Sequence, residues 1–373
     1  MSSTAGRTAG PQPEAVDHAT RRDRLRDRVR DLDLDAILLT EAVNVQWATG
    51  FTGSNGQLLL GADGDDLLIT DVRYDERADR EAPGLDRELD RDPIGVACAR
   101  LRRPRLGFEQ DALSWREGQR LREAVREIDG RAEPTSGLVE DLRAVKDAHE
   151  VDLLRRACAI TTEALAWLLD EYVEVGRTEL ELGRALEHRF VEMGADGAAF
   201  ASIVASGPNA AIPHHAPGRR VLERGDVLTI DCGARVEGYH ADCTRTVAIA
   251  ELAEPLVSVH EVVRRAQQAG RDAALAGATG GDVDAAARDV IEEAGHGESF
   301  LHGTGHGVGL EVHERPAVAR GSAATLVAGM TLTVEPGIYL SGVGGVRIED
   351  TVVVTADGPA RPLTDLPRAL RLL

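Results

Sequence analysis

Apolar positions recur three to four residues apart over 18–33, at Leu25, Val29 and Leu32, which predicts an amphipathic helix. The run 35–39 (DAILL) reads as a buried strand. Two further short strands, QLLLG and DLLIT, flank Ala62-Asp63-Gly64-Asp65 as a hairpin. Residues 71–92 are dense in alternating charge and read as a solvated helix and loop. A strand at 105–109 and a helix over 115–128 complete an α/β alternation. The pattern breaks at Glu133-Pro134-Thr135-Ser136-Gly137, the expected domain boundary. Beyond it one long helix is expected through Leu142, Val145, Val151, Leu154 and Leu165 to about Val173. Gly176 stops it, and Thr178 with Glu181 forms a capping box for the next helix. The expected layout is a disordered tail over 1–16, a first domain over 17–136 and a second over 137–373.

Composition narrows the class without naming a function. The 43% apolar and 28% charged content are globular values, which excludes a fibrous or disordered chain. A net charge of −20 argues against a nucleic-acid partner, which wants a basic face. No apolar run nears the ~18 residues of a membrane span, so no membrane partner is expected. The first sixteen residues lack an apolar signal-peptide core, and Cys98, Cys158, Cys232 and Cys243 form no CxxC pair. Reduced thiols in the cytoplasm are therefore expected. Only Lys146 among the basic residues is lysine, and that bias is given no functional weight.

An internal repeat is the most informative feature. At a constant offset of 104, Gly225, Leu228, Thr229, Asp231, Gly233 and Gly238 meet Gly329, Leu332, Thr333, Glu335, Gly337 and Gly342. Asp242-Cys243-Thr244 then corresponds to Glu349-Asp350-Thr351. Upstream, Phe200 meets Phe300, Gly207 meets Gly307, and His214 nearly meets His313. Two related hairpins can bring Asp231, Asp242, Glu335 and Glu349 together about a pseudo-twofold axis. Four carboxylates cannot share a buried site without cations. Two divalent ions balance them, whereas Arg245 and Arg347 together do not. The glycine-alternating run 302–310 (HGTGHGVGL) suits extended backbone presenting single imidazoles. A phosphate-cradling loop is the rival reading of that run, but no accompanying lysine supports it. Oxygen-rich ligation with one nitrogen suits Mn²⁺, Fe²⁺, Co²⁺ or Zn²⁺, and two such ions point to metal-assisted amide hydrolysis.

The motifs 230–233 (IDCG), 242–246 (DCTRT), 302–314, 335–337 (EPG) and 347–350 (RIED) together resemble the pita-bread metallopeptidases, the group of aminopeptidase P, prolidase, methionine aminopeptidase and creatinase. In the first domain, Gly50 to Gly56 and Thr70-Asp71-Val72-Arg73-Tyr74 resemble motifs of the creatinase-type N-terminal domain. The implied fold class is α/β (α+β), a creatinase-like α/β domain followed by a pita-bread domain with an internal pseudo-twofold repeat.

By position, the resemblance implies Asp231 on one metal, His306 and Glu335 on the other, and Asp242 and Glu349 bridging both. Glu335 is the implied proton shuttle. His214 and His313 face the substrate, His302 is an additional catalytic histidine, and Arg347 binds substrate beside the last ligand. His215 is expected to point away, and His240 to act on the ligands from behind. His18, His149, His188, His260 and His296 are expected at the surface or in caps, and Tyr339 and Arg245 in structural roles.

The implied activity is an Xaa-Pro aminopeptidase, in which a metal-bridged hydroxide attacks the carbonyl of the first residue. The implied cofactors are two divalent ions, Mn²⁺ foremost with Zn²⁺, Co²⁺ or Fe²⁺ as alternatives. Small peptides with proline second are the implied partners, and a homodimer the implied assembly. Three alternatives remain: a prolidase restricted to Xaa-Pro dipeptides, a non-peptidase amide hydrolase, and a non-catalytic binding module.

Overall fold

The computed structural model describes residues 16–373, so the expected tail lies outside the described residues except for Val16. The described residues form two compact units, one up to Arg143 and one running Ala144–Leu373.

The first unit is built on a six-stranded mixed sheet in the order Asp86–Leu89, Leu67–Thr70, Gly56–Gly61, Ala36–Leu39, Arg105–Glu109, Arg131–Thr135. The expected hairpin is present, with Leu58 opposite Leu68. Two expectations need correcting. Residues 71–92 contain a 3₁₀ turn, the helix Asp75–Glu81 and also the edge strand Asp86–Leu89. That strand is mostly exposed and charged, so it carries no apolar alternation to read. Residues 133–135 lie in the other edge strand, parallel to Arg105–Glu109, where the sheet tolerates Pro134. The change of unit comes further on, after Arg143.

The single helix expected to about Val173 is three pieces: Leu138–Ala144, Ala148–Trp167 and a π-helical turn Leu168–Tyr172. In the second unit Val145 bridges to Met330, and the Lys146 amide donates to the Gly329 carbonyl at 3.0 Å. Asp147 then caps a new helix in a reciprocal box with Glu150. Side-chain periodicity runs through this break, but the backbone leaves the helix to pair elsewhere.

The repeat seen in the sequence is a structural repeat. Strands Cys243–Ala248, Val227–Cys232 and Ile203–Ser206 lie in that order in one sheet. Asp350–Val353, Thr331–Val334 and Gly305–Gly307 lie in the same relative order in the other, flanked there by two more strands. Preceding each sheet, a threonine caps a helix: Thr178 boxed with Glu181, and Thr279 with Asp282. Gly225 and Gly329 occupy matching left-handed positions, φ +88° and +92°, where a side chain is strained. That backbone demand keeps both glycines in register. The paired helices Leu256–Ala273 and Gly280–Glu293 bury Val259, Val263, Ala287 and Ile291 with Ile338 and Val346 of the second half. At ~1.5–3 kcal/mol per buried aliphatic side chain, this packing holds the sheets rigid behind the site.

Candidate functional site

The acids predicted to converge arise at corresponding strand ends. Asp231 lies near the end of Val227–Cys232, opposite Thr244, and Asp242 directly precedes Cys243–Ala248. Glu335 directly follows Thr331–Val334, and Glu349 directly precedes Asp350–Val353. The halves are joined across the site: the Glu349 amide donates to the Thr244 carbonyl at 3.1 Å, and Thr351 Oγ1 to the Asp242 carbonyl at 2.8 Å. The Gly305–Gly307 strand carries His306 in extended backbone, as its alternating glycines predict. His306 Nε2 lies 3.2 Å from Glu335 Oε1 and 3.7 Å from Asp242 Oδ2.

Donor atoms of Asp242, His306 and Glu349 all lie within 4.8 Å of one another, a metal-binding arrangement. Asp231 Oδ1, Asp242 Oδ1 and Glu349 Oε1 are buried and have no hydrogen-bond partner. An orphaned buried carboxylate oxygen is costly, and three of them, two on acids grouped with the His306 imidazole, fit divalent cations. Electrostatics of the bare side chains agree. Burial, then the charges of Glu349, Asp231 and Glu335, raise Asp242 well above the usual carboxylate range. Burial, then Glu335 and Asp231, do the same to Glu349. Burial also opposes ionisation of Glu335, but the His306 hydrogen bond and charge, with His302 and Arg347, outweigh it and hold it at about 2. Burial opposes the cation on His306, yet Glu335 keeps its pKa above the ordinary value.

Asp231, Asp242, His306 and Glu335 line a cavity of about 610 Å³ that also reaches His214, His302, His313 and Arg347, and Glu349 lies beside Asp242 and His306. The structure thus brings together all nine side chains singled out from the sequence. Their contacts differ in kind. Arg347 is fully committed: Nη2 donates to Asp231 at 2.7 Å, Nη1 to the Tyr339 hydroxyl at 2.9 Å and Nε to Thr244 Oγ1 at 3.1 Å. His302 uses both ring nitrogens, on the Gly303 carbonyl and the Tyr339 hydroxyl, each at 2.8 Å. Its pKa is lowered by burial. The His313 ring lies 4.3 Å from that of His306, edge to face. Burial, then the His306 charge, lowers its pKa.

Several expectations change. Tyr339 is a junction between His302 and Arg347, a role its sequence neighbourhood does not announce. His215 also lines the cavity, with Nε2 2.8 Å from Glu179 Oε2. His240 sits on the separate short strand Tyr239–His240 and bonds the Gly309 carbonyl. His260 is buried within its helix and not a surface residue, because the helix face it occupies packs on the core. Arg245 is structural as expected, paired with Asp350 at 2.8 Å. All four cysteines are free, and no described helix is long and apolar enough to cross a membrane.

Comparison with known proteins follows the same division. Residues 21–145 match the creatinase/prolidase N-terminal domain, and residues 152–356 match metallopeptidase family M24. The Xaa-Pro dipeptidase of Pyrococcus furiosus is 33% identical over 356 residues, covering 94% of this chain and 99% of that one. A solved Xaa-Pro dipeptidase from Bacillus anthracis is 38% identical with a TM-score of 0.90, covering 96% of this chain and 100% of that one. A solved X-Pro aminopeptidase from Thermotoga maritima is 35% identical with a TM-score of 0.86, covering 94% and 99%. With its converging acids, its metal-binding arrangement and matches across both units, the chain belongs to metallopeptidase family M24, an enzyme whose creatinase/prolidase N-terminal domain is followed in sequence by a pita-bread catalytic domain.

Proposed function

We propose that this enzyme is an Xaa-Pro dipeptidase, a prolidase, and not in the first place the Xaa-Pro aminopeptidase that the motifs alone suggest. The observation that carries the hydrolase reading is the set of three orphaned carboxylate oxygens together with the donor group Asp242, His306 and Glu349. The dipeptidase reading is supported by relatives named Xaa-Pro dipeptidase that align over nearly the whole chain. Asp231, Asp242, His306, Glu335 and Glu349 would hold two divalent ions, with Asp242 and Glu349 shared. The oxygen-rich donor set suits Mn²⁺ first. Two ions bound there supply Lewis-acid polarisation of the scissile carbonyl and acidify a water for attack.

The chain's own residues do the rest. Glu335 takes the proton of the attacking water on a carboxylate oxygen and returns it to the proline nitrogen as the bond breaks. His313 and His214 hold the peptide in the cavity and donate to the oxygen that gains charge. His302 fixes the Tyr339 hydroxyl, which with Arg347 keeps Asp231 in its orientation. As in any amide hydrolysis the leaving nitrogen must gain a proton to depart as an amine, and Glu335 is placed to pass on the one taken from water. Free cysteines suit a reducing compartment, and we assign the enzyme to the cytoplasm, as a homodimer testable by sedimentation.

An Xaa-Pro aminopeptidase is the second reading, favoured by the Thermotoga maritima relative. Turnover of Leu-Pro against Leu-Pro-Gly by the manganese-loaded enzyme separates the two. The dipeptide alone is expected to be cleaved, and comparable cleavage of the tripeptide would establish the aminopeptidase instead.

A further inference from the structure

A dipeptide ending in proline brings a free carboxylate into the cavity, one residue beyond the bond to be cut. Leaving water, that carboxylate needs a cation or a set of donors. The cavity offers few. Lys146, the chain's lone lysine, is buried against Glu314 at 2.8 Å and is not part of the lining. Arg347 has Nε, Nη1 and Nη2 engaged by Thr244, Tyr339 and Asp231. His302 has both nitrogens engaged, and His306 faces Glu335 and Asp242. His313 lies ring to ring with His306, where a second cation is unwelcome beside bound metal. His214 has no carboxylate partner among the described residues.

His215 differs from all of these. Its Nε2 meets Glu179, whose side chain is 0% exposed and which takes no part in the metal site. Glu179 Oε1 accepts from the Ser206 amide at 2.8 Å, Ser206 Oγ at 2.7 Å and Asn209 Nδ2 at 3.0 Å. Its Oε2 accepts from the Gly218 amide at 3.1 Å and from His215 at 2.8 Å. A carboxylate surrounded by donors is held ionised. It therefore fixes His215 with a proton on Nε2, leaving Nδ1 as the ring nitrogen without a partner among the described residues. The helix Glu179–Glu192 begins at this glutamate, whose capping residue Thr178 fixes its backbone. The pair is thus anchored on a regular element, with His215 still 16% exposed at the cavity wall.

We propose that His215, held by Glu179, is the group that receives the substrate's C-terminal carboxylate at Nδ1 and so selects dipeptides over longer chains. The proposal rests on the dipeptidase reading given above. In a longer peptide or an amide the same position carries no charge, and the contact with His215 Nδ1 loses its charged partner. Position 215 then determines specificity, and Glu179 is a positioning residue that acts through it.

The test compares Leu-Pro with Leu-prolinamide on the full-length, manganese-reconstituted protein, with metal content measured alongside. The wild type is expected to prefer the free acid. His215→Gln and Glu179→Gln are expected to reduce that preference at least about tenfold, through KM for the acid, as loss of a charged hydrogen bond implies. Metal content should stay at the wild-type level, since neither residue is a ligand. Glu179→Asp keeps the charge and should restore part of the preference. If His215→Gln does not fold, the Glu179 variants carry the test. Equal losses on acid and amide, or an unchanged preference, would overturn the proposal while leaving the dipeptidase reading intact. A wild type that cleaves neither substrate overturns both.

Discussion

Asp242 is the residue on which most of the site's chemistry converges. One of its oxygens is 3.7 Å from His306, and the other is buried with no partner. Asp242→Ala should lower kcat/KM by at least the ~10²–10³-fold that loss of a single oxyanion donor costs, and should lower bound metal in the same preparation. Full metal content with retained activity would refute the assignment. Tyr339 gives a graded counterpart. Its hydroxyl joins His302 to Arg347, and Arg347 in turn holds Asp231. Tyr339→Phe should reduce activity by ~10–100-fold, the range for partners behind a ligand, with the fold unaffected by circular dichroism. The converging acids were legible because carboxylates recur at repeated spacing, and the histidines around them because their motifs resemble those of a known family. Tyr339 and His215 were not. Each acquires its role from a partner 37 or 36 positions away, respectively, and no local spacing encodes that.

At the scale of elements, the strand Gly305–Gly307 shows why the glycines of the histidine run cannot be spared. A Cβ on Gly305 would lie 2.0 Å from the Thr333 carbonyl oxygen, within the adjoining strand Thr331–Val334. Gly305→Ala must push the two strands apart and should cost at least the ~1–3 kcal/mol of an overpacked core, read as a lower urea midpoint at unchanged m-value. His306 would move with the strand, so metal affinity should fall too. Elements were legible where the sequence repeats itself: both hairpins and the paired turn glycines recur because each half meets the same backbone demands, while of the two threonine caps only that of Thr178 was read. They were illegible where an element is defined by its neighbour. The helix break at Val145 exists because that residue pairs with Met330, and the strand Asp86–Leu89 exists because Leu67–Thr70 offers it an edge. Neither partner leaves a trace in local periodicity.

For the whole molecule, bound metal should decide how stability depends on pH. In the metal-free chain Asp242 and Glu349 have raised pKa values, through burial and mutual repulsion. The folded form then holds protons that the unfolded form has released, so stability falls as pH rises above the ordinary carboxylate range. Glu335, whose pKa is depressed to about 2, is ionised in both forms there and adds no slope. Stripping the metal should therefore lower Tm more at pH 8 than at pH 5, and calorimetry of apo and metal-loaded protein at both values checks it. A larger loss at pH 5 would mean that the acids are not the source.

The sequence by itself determined the family, the repeat and the identity of the converging acids, because a duplicated fold writes the same turn glycines and carboxylates twice in one chain. Tertiary structure decided what those groups touch. It left three carboxylate oxygens without partners, tied Arg347 to Asp231 through close packing, and set the loop residue His215 against the first glutamate of the helix Glu179–Glu192. The reason is physical: a residue's type limits which interactions it can make, but burial and partner geometry, assembled from distant segments, determine which of them it does make.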